Sequence, residues 1–97
     1  MRPTEEIQSE LAALTPRLSD EFPISEIGFF GSYARNEQRD DSDLDVLVTF
    51  EEPVTLFDLV RLENELTSEL GVDVDLVTRD SLKPQVESQV QNDVVYV

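Results

Sequence analysis

The run Ser42-Asp43-Leu44-Asp45-Val46-Leu47-Val48 alternates acid and aliphatic residues before closing on three aliphatics, an order that suits a strand. Strand side chains alternate between faces, so Asp43 and Asp45 are predicted to share one face while Leu44 and Val46 enter a core from the other. Two carboxylates aimed at one point repel each other unless a cation lies between them. A hard divalent ion with oxygen ligands suits such a pair. Upstream, Ile27-Gly28-Phe29-Phe30 reads as the end of an earlier strand, followed by the small-residue step Gly31-Ser32. A strand, a tight turn and a helix start present backbone N–H groups to an anion such as phosphate. Paired carboxylates beside a phosphate cradle point to metal-dependent phosphoryl or nucleotidyl transfer.

The Asp-x-Asp spacing carries little weight by itself. The chain has 22 acidic residues in 97, and the spacing recurs at Asp41/Asp43, Asp43/Asp45 and Asp73/Asp75. Context separates the middle pair from solvated acids on a loop or helix: a glycine turn precedes it and Val46-Leu47-Val48 follows it.

The segment from Gly31 to Val48 resembles the minimal nucleotidyltransferase (MNT) branch of the nucleotidyltransferase superfamily. Gly31-Ser32, Ala34-Arg35, a spacer and then Ser42-Asp43-Leu44-Asp45-Val46-Leu47-Val48 follow that branch's pattern in order. The resemblance extends over nearly the whole chain. It implies an α+β nucleotidyltransferase fold, a small mixed β-sheet flanked by helices, occupying residues 1–97 as one domain. It also implies a third carboxylate on a later strand. Asp75 is chosen over Asp73, because Leu76-Val77 repeats the context that follows Asp45. On this reading Asp43, Asp45 and Asp75 are the catalytic and metal-binding residues. Gly31, Ser32 and Arg35 face the triphosphate of ATP, although Arg35 in so acidic a chain is equally suited to a structural ion pair.

The same resemblance implies an antitoxin that passes AMP to a hydroxyl, expected to be a tyrosine, of a HEPN-type ribonuclease toxin encoded by the neighbouring gene. Two alternatives stand beside it. One is a non-catalytic antitoxin that masks the toxin; the other is a nucleotidyltransferase acting on a small molecule.

Composition narrows the chemistry. The chain contains no cysteine and no histidine, so thiolate and imidazole ligands are excluded, and an oxygen-bound Mg²⁺ or Mn²⁺ is expected. Seven basic residues against 22 acidic ones give a net charge of −15. Stable nucleic-acid binding through phosphate neutralisation is therefore not expected. Such acidity suits a salt-rich cytoplasm or, alternatively, a basic partner, and the scatter of the acids along the chain favours a general surface property. No segment reads as a membrane span or signal peptide, and a cytoplasmic location is expected.

Along the chain, Ile7, Leu11, Leu14 and Leu18 predict a first helix capped by Thr4, with Pro16 kinking it or starting a new turn. Strands are predicted at 25–30, 43–50 and 72–78, and a short helix at 32–37. Thr55 and Asp58 resemble a capping box ahead of the stripe Leu56, Leu59, Leu62, Leu66 and Leu70, with Gly71 at the helix end. Ser81 is expected to cap a last helix that turns Leu82, Val86 and Val90 inward. Val94-Val95-Tyr96-Val97 is either an edge strand or a docking segment.

Overall fold

Hydrophobic periodicity becomes layers in the computed structural model, which describes residues 2–97. In chain order the elements are α1 (Thr4–Glu21), β1 (Ile24–Phe30), β2 (Leu44–Phe50), α2 (Leu56–Leu70), β3 (Val74–Thr78), α3 (Pro84–Asp93) and β4 (Val95–Tyr96). A 3₁₀ turn at Arg79–Ser81 precedes α3. The strands form one mixed sheet in the order β3-β2-β1-β4. β1 runs antiparallel to both β2 and β4, and β2 runs parallel to β3 with α2 as the crossover. The α+β class and mixed sheet expected from the sequence are present.

The period of two decides which face meets the helices. Ile27 and Phe29 of β1, Leu44, Val46 and Val48 of β2 and Val74 of β3 join one buried cluster with Ile7, Leu11 and Leu18 of α1 and Leu62, Leu66 and Leu70 of α2. Helices α1 and α2 therefore cover one face. The intervening residues Asp45, Leu47 and Asp75 belong to the opposite face. Thr55 and Asp58 form the predicted capping box, and Gly71 ends α2 in the left-handed region with φ 71°.

β3 is an edge strand, and two of its outward amides are satisfied by α2. Val74 N–H donates to Thr67 Oγ1 (3.3 Å) and Leu76 N–H to Glu63 Oε2 (3.4 Å). Thr67 and Glu63 lie one turn apart on α2, so alternate residues of β3 meet successive turns of the helix.

Several local expectations are corrected. Thr4 does not cap α1: Pro3 is the N-cap, and the Thr4 hydroxyl donates instead to the Tyr33 carbonyl (2.6 Å). α1 runs through Pro16 without interruption. Both Pro16 and Ala12, whose carbonyl loses its usual donor, are on the exposed side of the helix. Ser81 belongs to the 3₁₀ turn, its hydroxyl bonded to the Thr78 carbonyl, and α3 starts at Pro84 behind Lys83. Val90 is buried as predicted, but Val86 is exposed. The leucine stripe of α2 is buried only from Leu62 onward, and Leu56 points to solvent. The apolar tail is an edge strand: Gly28 pairs with Tyr96, and a Cβ at Gly28 would collide with the Val95 carbonyl.

Candidate active site

Asp45 is the second residue of β2 and Asp75 the second of β3. The parallel register sets them side by side on the face away from α1 and α2. Asp45 is also paired with Phe30 across the antiparallel ladder, so it stands beside the turn that leaves β1. Burial raises its proton affinity most, the charges of Asp75 and then Asp43 raise it further, and Arg35 partly offsets them. Asp45, Asp75, Asp43 and Arg35 thus act on one spot. Asp43 is not on the strand, since β2 starts at Leu44; it is an exposed residue of the entering loop. Asp73 likewise precedes β3, where its carbonyl accepts Leu44 N–H (2.8 Å) and joins the two strand entrances.

Gly31 leaves β1 with φ 76°, in the left-handed region that favours glycine. A Cβ there would run into the Asp45 carboxylate, so the turn and the carboxylate pack directly against each other. The predicted helix at 32–37 is a single turn. Arg35 N–H reaches the Gly31 carbonyl, Asn36 N–H the Tyr33 carbonyl and Glu37 N–H the Ser32 carbonyl. The last two bonds, with Asn36 at φ 58°, close the turn as a Schellman motif and prevent its continuation. The N–H groups of Ser32, Tyr33 and Ala34 have no acceptor among the described residues. The turn thus leaves three amide donors open beside Gly31. Tyr33 itself is 2% exposed and belongs to the core.

Arg35 holds two ion pairs, to Asp93 Oδ2 (2.7 Å) and Glu37 Oε1 (3.1 Å). The structural pairing weighed for it is present, and its charge still reaches Asp45. Two contributors have no signal in the sequence. Asp93, at the end of α3, ties that helix to the turn through Arg35. Gln38 is buried and donates from Nε2 to the Arg2 carbonyl (2.9 Å) and to Thr4 Oγ1 (3.2 Å), anchoring the loop between turn and β2.

A model of the nucleotidyltransferase domain family matches residues 11–97. The chain belongs to that family. Protein adenylyltransferase MntA of Thermococcus cleftensis is 47% identical over 93 residues, spanning 96% of this chain and 94% of that one. A solved minimal nucleotidyltransferase superposes with a TM-score of 0.83 at 38% identity, covering 97% of this chain and 95% of its own. A third relative is a solved MNT antitoxin in complex with a tri-AMPylated HEPN toxin of Shewanella oneidensis. It superposes with a TM-score of 0.70 at 26% identity over 93% of this chain and 70% of that one. The chain is a nucleotidyltransferase of the minimal branch.

The donor chemistry of this nucleotidyltransferase suits a hard divalent cation. Asp43, Asp45 and Asp75 offer only carboxylate oxygens, and their mutual repulsion at Asp45 is what a cation relieves. Among the described residues, no three acidic side chains are gathered closely enough to hold a metal ion as they stand. No helix among them is long and apolar enough to cross a membrane.

Proposed function

We propose that the chain is a single-domain protein adenylyltransferase, a cytoplasmic antitoxin that transfers AMP from ATP to a hydroxyl, in the first instance a tyrosine, of a HEPN-type toxin. The observation that carries this reading is the pairing of Asp45 with Asp75 beside the open amides of the Gly31 turn. The adenylyltransferase and AMPylated toxin complex among its relatives support it.

The Ser32, Tyr33 and Ala34 amides donate to phosphate oxygens, and Gly31 lets them approach without a side chain in the way. Asp43, Asp45 and Asp75 hold Mg²⁺ or Mn²⁺, which when bound neutralises charge on the triphosphate. Asp75, the more exposed of the paired carboxylates, takes the proton of the attacking hydroxyl. The new O–P bond forms at the α-phosphorus as the bond to pyrophosphate breaks. Positioning and charge neutralisation supply most of the catalysis.

Incubating the chain with labelled ATP, Mg²⁺ and the protein encoded beside it tests the reading. Label on that protein, lost on Tyr→Phe replacement in it, is the expected result. Neutralisation without label would leave masking as the mechanism, and label on a small molecule would replace the proposed acceptor.

A further inference from the structure

The most exposed large apolar side chains gather at the start of α2, where Leu56 is 75%, Phe57 83% and Val60 51% exposed. Leu56 and Val60 are four residues apart and Phe57 and Val60 three, so the trio forms one ridge on the helix. The Thr55–Asp58 capping box fixes the helix end that carries it. Beside the ridge lies a cleft of about 440 Å³, bounded by Val54 and Leu59 and by Glu51, Glu52 and Asp80. None of these three acidic side chains has a hydrogen-bond or ion-pair partner among the described residues. Arg79, which also lines the cleft, is engaged with Glu26 (3.8 Å) and the Tyr96 hydroxyl (3.4 Å).

We propose that this ridge and cleft dock a partner protein through an amphipathic helix. Its apolar face covers Leu56, Phe57 and Val60, and its Lys or Arg side chains reach Glu51, Glu52 and Asp80. Helix-on-groove recognition uses apolar anchors at this spacing. The free acids choose among occupants. They repel nucleic acid and anionic bilayers, and a second copy would bring two acidic rims of chains each charged −15 together. A basic rim is the complement. The cleft reaches Phe50, five residues along β2 from Asp45 and about 17 Å away at the rise of an extended strand. Docking there leaves the carboxylate face open. The inference deepens the antitoxin reading by naming how the partner is held, and its test involves no nucleotide, so its failure is separate from a failure of transfer.

The probe is a fluorescent amphipathic Leu/Lys peptide of about five helical turns, titrated into the full chain and followed by anisotropy. The wild type is expected to bind it. Leu56→Ser/Phe57→Ser should weaken binding at least about tenfold with an unchanged circular dichroism spectrum. Glu51→Gln/Glu52→Gln should weaken it several-fold, whereas Glu5→Gln/Asp41→Asn, with the same change in charge, should not. No binding by the wild type, or equal binding by Leu56→Ser/Phe57→Ser, would overturn the proposal. So would a dimer in sedimentation that Leu56→Ser/Phe57→Ser abolishes, since a second copy would then be the occupant.

Discussion

Asp75 stands level with Asp45 on the neighbouring parallel strand, both side chains on the face away from α1 and α2. Strands about 4.8 Å apart leave these carboxylates little room to avoid each other. Burial, the larger effect, and then this repulsion make folded Asp45 bind its proton more tightly than the unfolded chain does. Its ionised form therefore destabilises the metal-free fold at neutral pH. Asp45→Asn is expected to raise the metal-free melting temperature at pH 7 while lowering AMP transfer at least about 100-fold. Thermal melts and a labelled-ATP assay check the two halves. A lowered melting temperature would mean the pair is not strained.

Asp75→Asn should lower the transfer rate far more than Asp73→Asn. Asp75 shares the rung with Asp45, whereas Asp73 lies ahead of β3 and contributes its carbonyl to Leu44 N–H, which asparagine retains. Both variants should melt close to the wild type. Equal rate losses, or a loss confined to Asp73, would reassign the third carboxylate.

The paired carboxylates and the glycine turn were legible because each rests on local rules. A strand period of two places Asp45 opposite the core, and a capping box with a terminal glycine bounds α2. What local rules missed depends on distant neighbours. Whether Thr4 caps its helix or bonds the Tyr33 carbonyl depends on the approach of a turn 29 residues away. Arg35 could be read as a phosphate ligand or an ion-pair partner until Asp93 arrived beside it from the far end of the chain. The leucine period continues back to Leu56, but burial begins only at Leu62 and Leu56 faces solvent. Alternation puts Asp43 on the strand because it cannot tell where pairing starts; Leu44 is the first paired residue.

Gly31→Ala should destabilise the fold by about 1–2 kcal/mol from its positive φ alone, with more from the collision with Asp45. Urea unfolding reads the loss. Gly71→Ala is the control, because its φ is 71° but a Cβ there meets nothing. A Gly31 variant no less stable than the Gly71 variant would show that the turn and Asp45 do not press on each other. Nucleotide binding should fall only in the Gly31 variant.

The capping box makes stability depend on pH in a known direction. Thr55 N–H donates to Asp58 Oδ2 (3.0 Å), and this bond, with the Thr55 hydroxyl, holds the Asp58 carboxyl below its ordinary value of 3.8. The folded state thus favours the ionised form. Its stabilisation is fully present above the unfolded value and disappears as pH falls through the lower folded value. Wild type should therefore exceed Asp58→Ala in urea stability at pH 7, with the gap closing at acid pH. A gap that persists unchanged well below pH 3.8 would show that the carboxylate charge contributes nothing to the cap.

The last prediction concerns the edge of the sheet. An edge strand with free N–H groups invites pairing with another chain. On β3 the Val74 and Leu76 N–H groups, on either side of Asp75 in the strand, are taken by Thr67 and Glu63 from α2. Thr67→Val/Glu63→Met keeps the side chains close in size while removing both acceptors. Each bond contributes about 0.5–1.5 kcal/mol, and their lengths of 3.3 and 3.4 Å favour the lower end, so a loss of about 1 kcal/mol is expected. The exposed edge should also associate, giving concentration-dependent sedimentation that the wild type lacks. Transfer should weaken with it, because a second chain paired along β3 crowds Asp75. A variant that stays monomeric with an unchanged urea midpoint would show that α2 does not seal the edge.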